Sequence, residues 1–119
     1  MTRHQPEATL QRSVIAHLQW RARPGVWFTH IPLGGLRSKV EASILRGLGT
    51  VRGCPDLLIV ADGKAYFLEL KAPHGRVSAE QHACHEALCA AGACVAVAYN
   101  IDDALERLAM WGLLKGRVS

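Results

Sequence analysis

No apolar run in this chain approaches the roughly 20 residues that cross a bilayer. The polar opening MTRHQPEATLQRS has no signal-type apolar core either. Together these absences set the expectation of a cytoplasmic protein. The four cysteines, Cys54, Cys84, Cys89 and Cys94, form no CxxC pair and no secreted-framework spacing, so they read as reduced. Cys84 and Cys89 fall in an alanine-rich helical stretch, where a free cysteine behaves as a small buried apolar residue. A zinc site joining them to His82 or His85 lacks the usual ligand spacing. A phosphate-binding glycine loop is missing too. Gly47, Gly49 and Gly53 bring the third glycine one position late for GxGxxG, and they follow a helix rather than a strand. They read as the end of that helix and the turn into Pro55. Internal repeats and low-complexity linkers are also absent.

What remains is ordinary globular material. The chain has 119 residues, half of them hydrophobic and a fifth charged, enough for one domain and one core. PEATLQRSVIAHLQW carries Leu10, Val14, Ile15 and Leu18 at helical spacing after Pro6, which suits a first helical turn. VWFTHI (26–31) is rich in strand formers and lies between Pro24-Gly25 and Pro32. PLGGLRS reads as a loop and KVEASILRGLG as a short helix stopped by glycine. DLLIV and AYFLELK are strands joined at ADGK, because Asp-Gly suits a tight turn. SAEQHACHEALCAAG is a helix, CVAVAY a buried strand and DDALERLAMWGLL a last amphipathic helix. The expected order is α-β-α-β-β-α-β-α: one α/β domain over 1–119 with a mixed sheet.

Charge interrupts this pattern at one place. In an extended strand, residues two apart share a face, about 7 Å apart. Glu69 and Lys71 therefore share one face of AYFLELK while Leu68 and Leu70 point the other way, into the core. A hairpin centred on Asp62-Gly63 returns Asp56 beside Glu69. Two carboxylates and an ammonium then converge at one sheet end. Carboxylates that close repel unless a proton or a cation intervenes. Oxygen donors without dedicated cysteine or histidine suit Mg²⁺, which keeps several waters for substrate phosphates. The competing reading is a plain Glu69–Lys71 salt bridge with Asp56 as a turn cap.

Two further residues carry double readings. Ser78 followed by Gln81 is a capping-box pattern, yet Gln81 also shares helical spacing with Cys84 and Leu88 on the inward edge. Glu7 lies in a first helical turn, where the dipole favours any acid. It also precedes Leu10 and Val14 by three and seven positions, on the buried stripe, which suggests a nearby cation. The net charge of +4 is a weak pointer to an anionic partner. Arg37, Lys39, Arg46, Arg52, Lys71 and Arg76 bracket the two strands. They read either as a solvated surface or, if the acids bind metal, as a rim for a polyanion.

Gly53-Cys54-Pro55-Asp56 followed by Glu69-Leu70-Lys71 resembles the PD-(D/E)xK nuclease signature. With Glu7 in the first helix, the GGLR loop, FLELK, and GRVSAEQ opening the next helix, the pattern resembles the VRR-NUC (virus-type replication-repair nuclease) family. The resemblance runs from about Glu7 to Trp111 and is closest to the small stand-alone members, many from phages and bacteria. It implies a restriction-endonuclease-like mixed β-sheet flanked by helices. It implies Asp56 and Glu69 as ligands of Mg²⁺ or Mn²⁺, with the Leu70 carbonyl as a third protein ligand and Glu7 nearby, through water. Lys71 would position the attacking water, and Gln81 would hydrogen-bond near Lys71 or that water. The implied activity is endonucleolytic hydrolysis of DNA, selective for branched molecules such as four-way (Holliday) junctions or flaps.

On this reading Arg37, Lys39, Arg46, Arg52 and Arg76 meet backbone phosphates, and His74 joins Arg76. His30 ends a strand near that side, while His4, His17, His82 and His85 read as helix-surface or satisfied residues. Two other classes stay open: a DNA-binding module without turnover, and a Mg²⁺-dependent hydrolase of another phosphorylated substrate. One centre cuts one strand, so paired cuts call for a C2 homodimer. Leu108, Met110, Trp111, Leu113 and Leu114 supply apolar material for its interface, unless they simply cover the sheet.

Overall fold

The hairpin fixes the frame. Strands β2 (Leu57–Ala61) and β3 (Lys64–Leu70) pair antiparallel from Leu57↔Leu68 to Ala61↔Lys64. Asp62 and Gly63 between them have φ of 52° and 74°, the left-handed backbone that a two-residue turn needs to match the strand twist. The chain is a computed structural model that describes residues 5–32 and 38–116. Strand β1 (Trp27–His30) adds antiparallel to β2, and β4 (Cys94–Ala98) adds parallel to β3. The sheet is mixed, in the order β1-β2-β3-β4.

Helices α1 (Gln5–Arg21) and α4 (Ile101–Met110) cover one face. Leu10, Val14 and Leu18 of α1 and Ala104 and Leu108 of α4 bury against Leu57, Ile59, Leu68, Leu70, Ala96 and Ala98. Burying such side chains is the main drive to fold, at about 1.5–3 kcal/mol each. Helix α3 (Ala79–Ala90) crosses between β3 and β4 on the other side. Its start and that of α2 (Lys39–Gly47) are closed by capping boxes, Ser78 with Gln81 and Ser38 with Glu41. Each box satisfies N–H groups that a helix start leaves bare. The order of elements and the restriction-endonuclease-like α/β class are those expected.

Two expectations about the surface need correction. The last helix stops at Met110, not Leu114. Gly112 takes φ of 74°, the Leu113 N–H bonds the Leu108 carbonyl at 3.0 Å, and the Gly112 N–H bonds Ala109 at 2.9 Å. This is a Schellman closure, which turns Leu113 back onto the helix it leaves. Leu108, Leu113 and Leu114 are buried, and Trp111 packs on Tyr66 with ring centroids 5.1 Å apart. These residues cover the sheet and leave Met110 exposed. The apolar surface lies elsewhere: α2 buries no residue, and Val40, Ile44 and Leu48 recur along it at 69%, 58% and 78% exposure.

Leu108→Ala should therefore cost about 2–5 kcal/mol by cavity formation, and Met110→Ala no more than about 0.5 kcal/mol. Urea denaturation of the two variants checks this. The opposite ranking would mean that the C-terminal segment does not seat on the sheet.

Candidate active site

Asp56 enters the site straight after the buried Pro55, at the mouth of β2. Three groups fix it. Its Oδ2 accepts the Leu70 N–H at 2.7 Å, and its backbone carbonyl accepts the Ile31 N–H at 2.7 Å. His30 Nδ1 lies 3.0 Å from the same carbonyl. The hairpin register continues to Glu69, which is 3% exposed. Burial pushes the Glu69 carboxyl up to about 8, and the Asp56 charge and hydrogen bond push the same way. Lys71 opposes the shift and Glu7 adds to it. Desolvation and a like charge each disfavour ionisation, and here they act together.

Helix α3 supplies the donors. Gln81 Oε1 accepts the Ser78 N–H at 2.9 Å, while its Nε2 donates to Glu69 Oε2 at 3.3 Å. The cap and the site contact thus coexist in one side chain. One turn later, His85 Nε2 lies 3.4 Å from Glu69 Oε1, with its side chain 12% exposed. Burial first, then His82 and Lys71, lower the His85 pKa and favour the neutral ring, whose Nε2–H tautomer can donate to Glu69. His85 is a satisfied histidine rather than a surface one, and its partner is the site's buried acid. The signal for it is its position four residues after Gln81, on the same helix face. Gly53 seats this helix. At φ 80° a Cβ there would meet the Glu80 carbonyl oxygen at 2.4 Å, so backbone conformation and close approach both demand glycine. Its role extends beyond the turn into Pro55.

Cys54 and Cys84 meet beneath the acids, and burial pushes both thiols up, Cys54 to about 11. They stay protonated and unreactive at neutral pH. Cys84 is buried as expected, but Cys89 is exposed. Among the described residues, no three His, Cys, Asp or Glu side chains group as a metal cage. The acids form a pair, with Glu7 held slightly apart: its Oε2 accepts the Ala72 N–H at 3.3 Å. Lys71 is half-buried and its N–H bonds the Ala98 carbonyl at 2.9 Å. It makes no ion pair with Glu69 among the described residues, so the plain salt bridge is not what fills this corner.

A cleft of about 370 Å³ opens over the pair, lined by Arg46, Arg52, Asp56, Glu69 and Gln81 among others. Arg52 pairs with Glu80 at 3.0 Å, an exposed contact worth about 0–1 kcal/mol and easily exchanged. Lys39, His74 and Arg76 are exposed outside the cleft lining, with His74 at φ 67°. Arg37, like the GGLR loop and His4, lies outside the described residues.

Between pH 4.5 and about 8 the folded protein holds a Glu69 proton that the unfolded chain has released. Stability in chelator should therefore fall as pH rises through that window. Glu69→Gln should flatten this part of the curve, as read by denaturant unfolding at several pH values. An unchanged slope in the variant would show that Glu69 ionises normally.

No family profile and no curated protein matches the chain. Solved structures do. One described as "VRR_NUC domain protein" superposes with a TM-score of 0.74 at 22% identity, covering 89% of this chain and 87% of that one. Another, described as "VRR_NUC domain", gives 0.60 at 21% identity, covering 88% and 95%. The chain thus has the fold of VRR_NUC domains.

Proposed function

We propose that this chain is a VRR-NUC-type nuclease: a metal-dependent endonuclease that hydrolyses DNA phosphodiester bonds, selective for branched molecules such as four-way junctions or flaps. The observation that carries the reading is the buried Glu69 carboxylate next to the half-buried Asp56, beside Lys71 and under a cleft edged by Arg46 and Arg52. Two adjacent carboxylates, with Glu69 buried and pushed towards protonation, are a donor set that a cation relieves. Its oxygen chemistry suits Mg²⁺ or Mn²⁺, with the remaining positions left to the Leu70 carbonyl, water and phosphate oxygens. Glu7 would act through water.

When bound, the cation supplies charge neutralisation and water activation at neutral pH. The protein's own part is positional. Asp56 stays aimed because Leu70 N–H holds one of its oxygens, and Gln81 steadies Glu69. Lys71 orients the attacking water and opposes the charge that develops on the phosphoryl oxygens. Arg46 and Arg52 at the cleft, Lys39, His74 and Arg76 outside its lining, and Arg37 contact backbone phosphates, so binding weakens steeply with salt.

Asp56→Asn, Glu69→Gln and Lys71→Ala should each slow cleavage of a labelled four-way junction in Mg²⁺ or Mn²⁺ by roughly 10²–10⁴-fold or more. Circular dichroism should stay that of the wild type. Near-normal cleavage by any one of them would remove its role, and a wild type that binds DNA without cutting would make the chain a binding module.

Paired cuts need two centres, and we assign the working species as a homodimer. With the C-terminal segment buried, the surface for it is the apolar face of α2, Val40, Ile44 and Leu48. Light scattering at micromolar concentration should give a dimer that Ile44→Glu or Leu48→Glu converts to monomer. A wild-type monomer that still cuts both strands of a junction would defeat this assembly.

A further inference from the structure

We propose that His85 is a positioning residue for Glu69: with Gln81 it holds both oxygens of that carboxylate from one face of α3, and so sets how the carboxylate presents itself to a cation. The proposal rests on the reading of Asp56 and Glu69 as cation ligands. Its ground is the geometry. Gln81 Nε2 stands 3.3 Å from Oε2 and His85 Nε2 stands 3.4 Å from Oε1. Residues four apart on a helix lie one above the other, so both donors approach from the same side. A glutamate held by one donor can still rotate its carboxyl plane about the last torsion, whose preference is broad. A second donor on the other oxygen removes that freedom. The lone pairs turned away from α3 are then the ones left towards Asp56 and the cleft.

The two donors are themselves fixed. Gln81 is tied through its other amide atom to the Ser78 N–H. The start of α3 cannot retreat or advance past Gly53, whose missing Cβ leaves room for the Glu80 carbonyl. His85 is 12% exposed, so its ring has little freedom to turn from Glu69. Its part is that of a hydrogen-bond donor in the Nε2–H tautomer, and it touches no reacting atom. Hydrogen-bond partners behind a metal ligand typically change metal affinity by about 10–100-fold when removed.

The test compares His85→Leu, which keeps side-chain bulk and loses the donor, with His85→Gln, which keeps an N–H at similar reach. Calorimetric titration with Mn²⁺ should show affinity about 10–100-fold weaker in His85→Leu and within a few-fold of wild type in His85→Gln. Equal affinity in the wild type and His85→Leu, or equal loss in both variants, would overturn the positioning role. If the wild type itself binds no Mn²⁺ or Mg²⁺, the cation reading fails, and the metal-free protein decides the rest. There, the Glu69 carboxyl ¹³C resonance should move in His85→Leu and return in His85→Gln. A resonance that stays put in His85→Leu would sink the proposal independently of metal.

Discussion

Glu69 is 3% exposed on a strand whose neighbours Leu68 and Leu70 fill the opposite face, and this one buried carboxylate constrains everything around it. An ionised group at that depth is unstable without partners. The nearest full charge of opposite sign, Lys71, makes no ion pair with it, and the nearest acid, Asp56, raises its pKa. What the fold offers instead is neutral donors, Gln81 and His85. Neutral donors support a carboxylate without cancelling its charge. A lysine in direct contact would have stabilised the metal-free state and left little for a cation to gain. The arrangement leaves Glu69 holding a proton at neutral pH that a cation can displace, and its ionised form is available only at the expense of the unliganded protein's own stability.

The rest of the architecture explains how such a corner stays in place. Asp56 at the mouth of β2 and Glu69 on β3 are brought together by a register locked by a two-residue turn with both φ positive. A slip of one residue would turn Glu69 into the core and Leu68 and Leu70 out of it, which the buried leucines forbid. Helix α3 belongs to a different layer, yet its first turn is indexed to the same strand mouth through Gly53, three residues before Asp56. The acids and their donors are thereby referred to one short segment of backbone, residues 53–56. That economy accounts for the density of glycine, proline and aspartate in Gly53-Cys54-Pro55-Asp56.

Much of this is legible in the chain alone. The Asp62-Gly63 turn determines the register, and the register brings Asp56 to Glu69, so the acid pair follows from two local signals. The Ser78–Gln81 cap is equally readable, because capping acts over three residues. His85 does not stand out, since a histidine on a helix is uninformative until one knows what lies across from it, and Glu69 is sixteen positions away. The tail LAMWGLL misleads for a different reason. Periodicity cannot distinguish apolar residues that extend a helix from those that reverse onto it, and it is the left-handed backbone at Gly112 that folds Leu113 back. Helix α2 misleads in the opposite sense: Val40, Ile44 and Leu48 form a regular apolar stripe, which ordinarily marks a core face, and here it faces solvent.

That exposed stripe bears on the site through the helix that carries it. The cleft wall includes Ala42, Leu45 and Arg46 of α2, while the outward side of the same nine-residue helix holds Val40 and Ile44, continued by Leu48 at its C-cap. A helix that buries none of its residues draws little stability from packing, and its hold on the domain rests on its capped start and the chain that leads from it to Gly53. The acids, by contrast, stand at the mouth of β2 and on β3, whose leucines fill the core. The two sides of the cleft therefore differ in packing: the floor that holds the charge is tied to core and register, and the wall that carries Arg46 buries no residue. In the proposed dimer, covering Val40, Ile44 and Leu48 would supply the packing that α2 lacks within one chain, so that assembly would firm the wall of each site while completing the pair of sites.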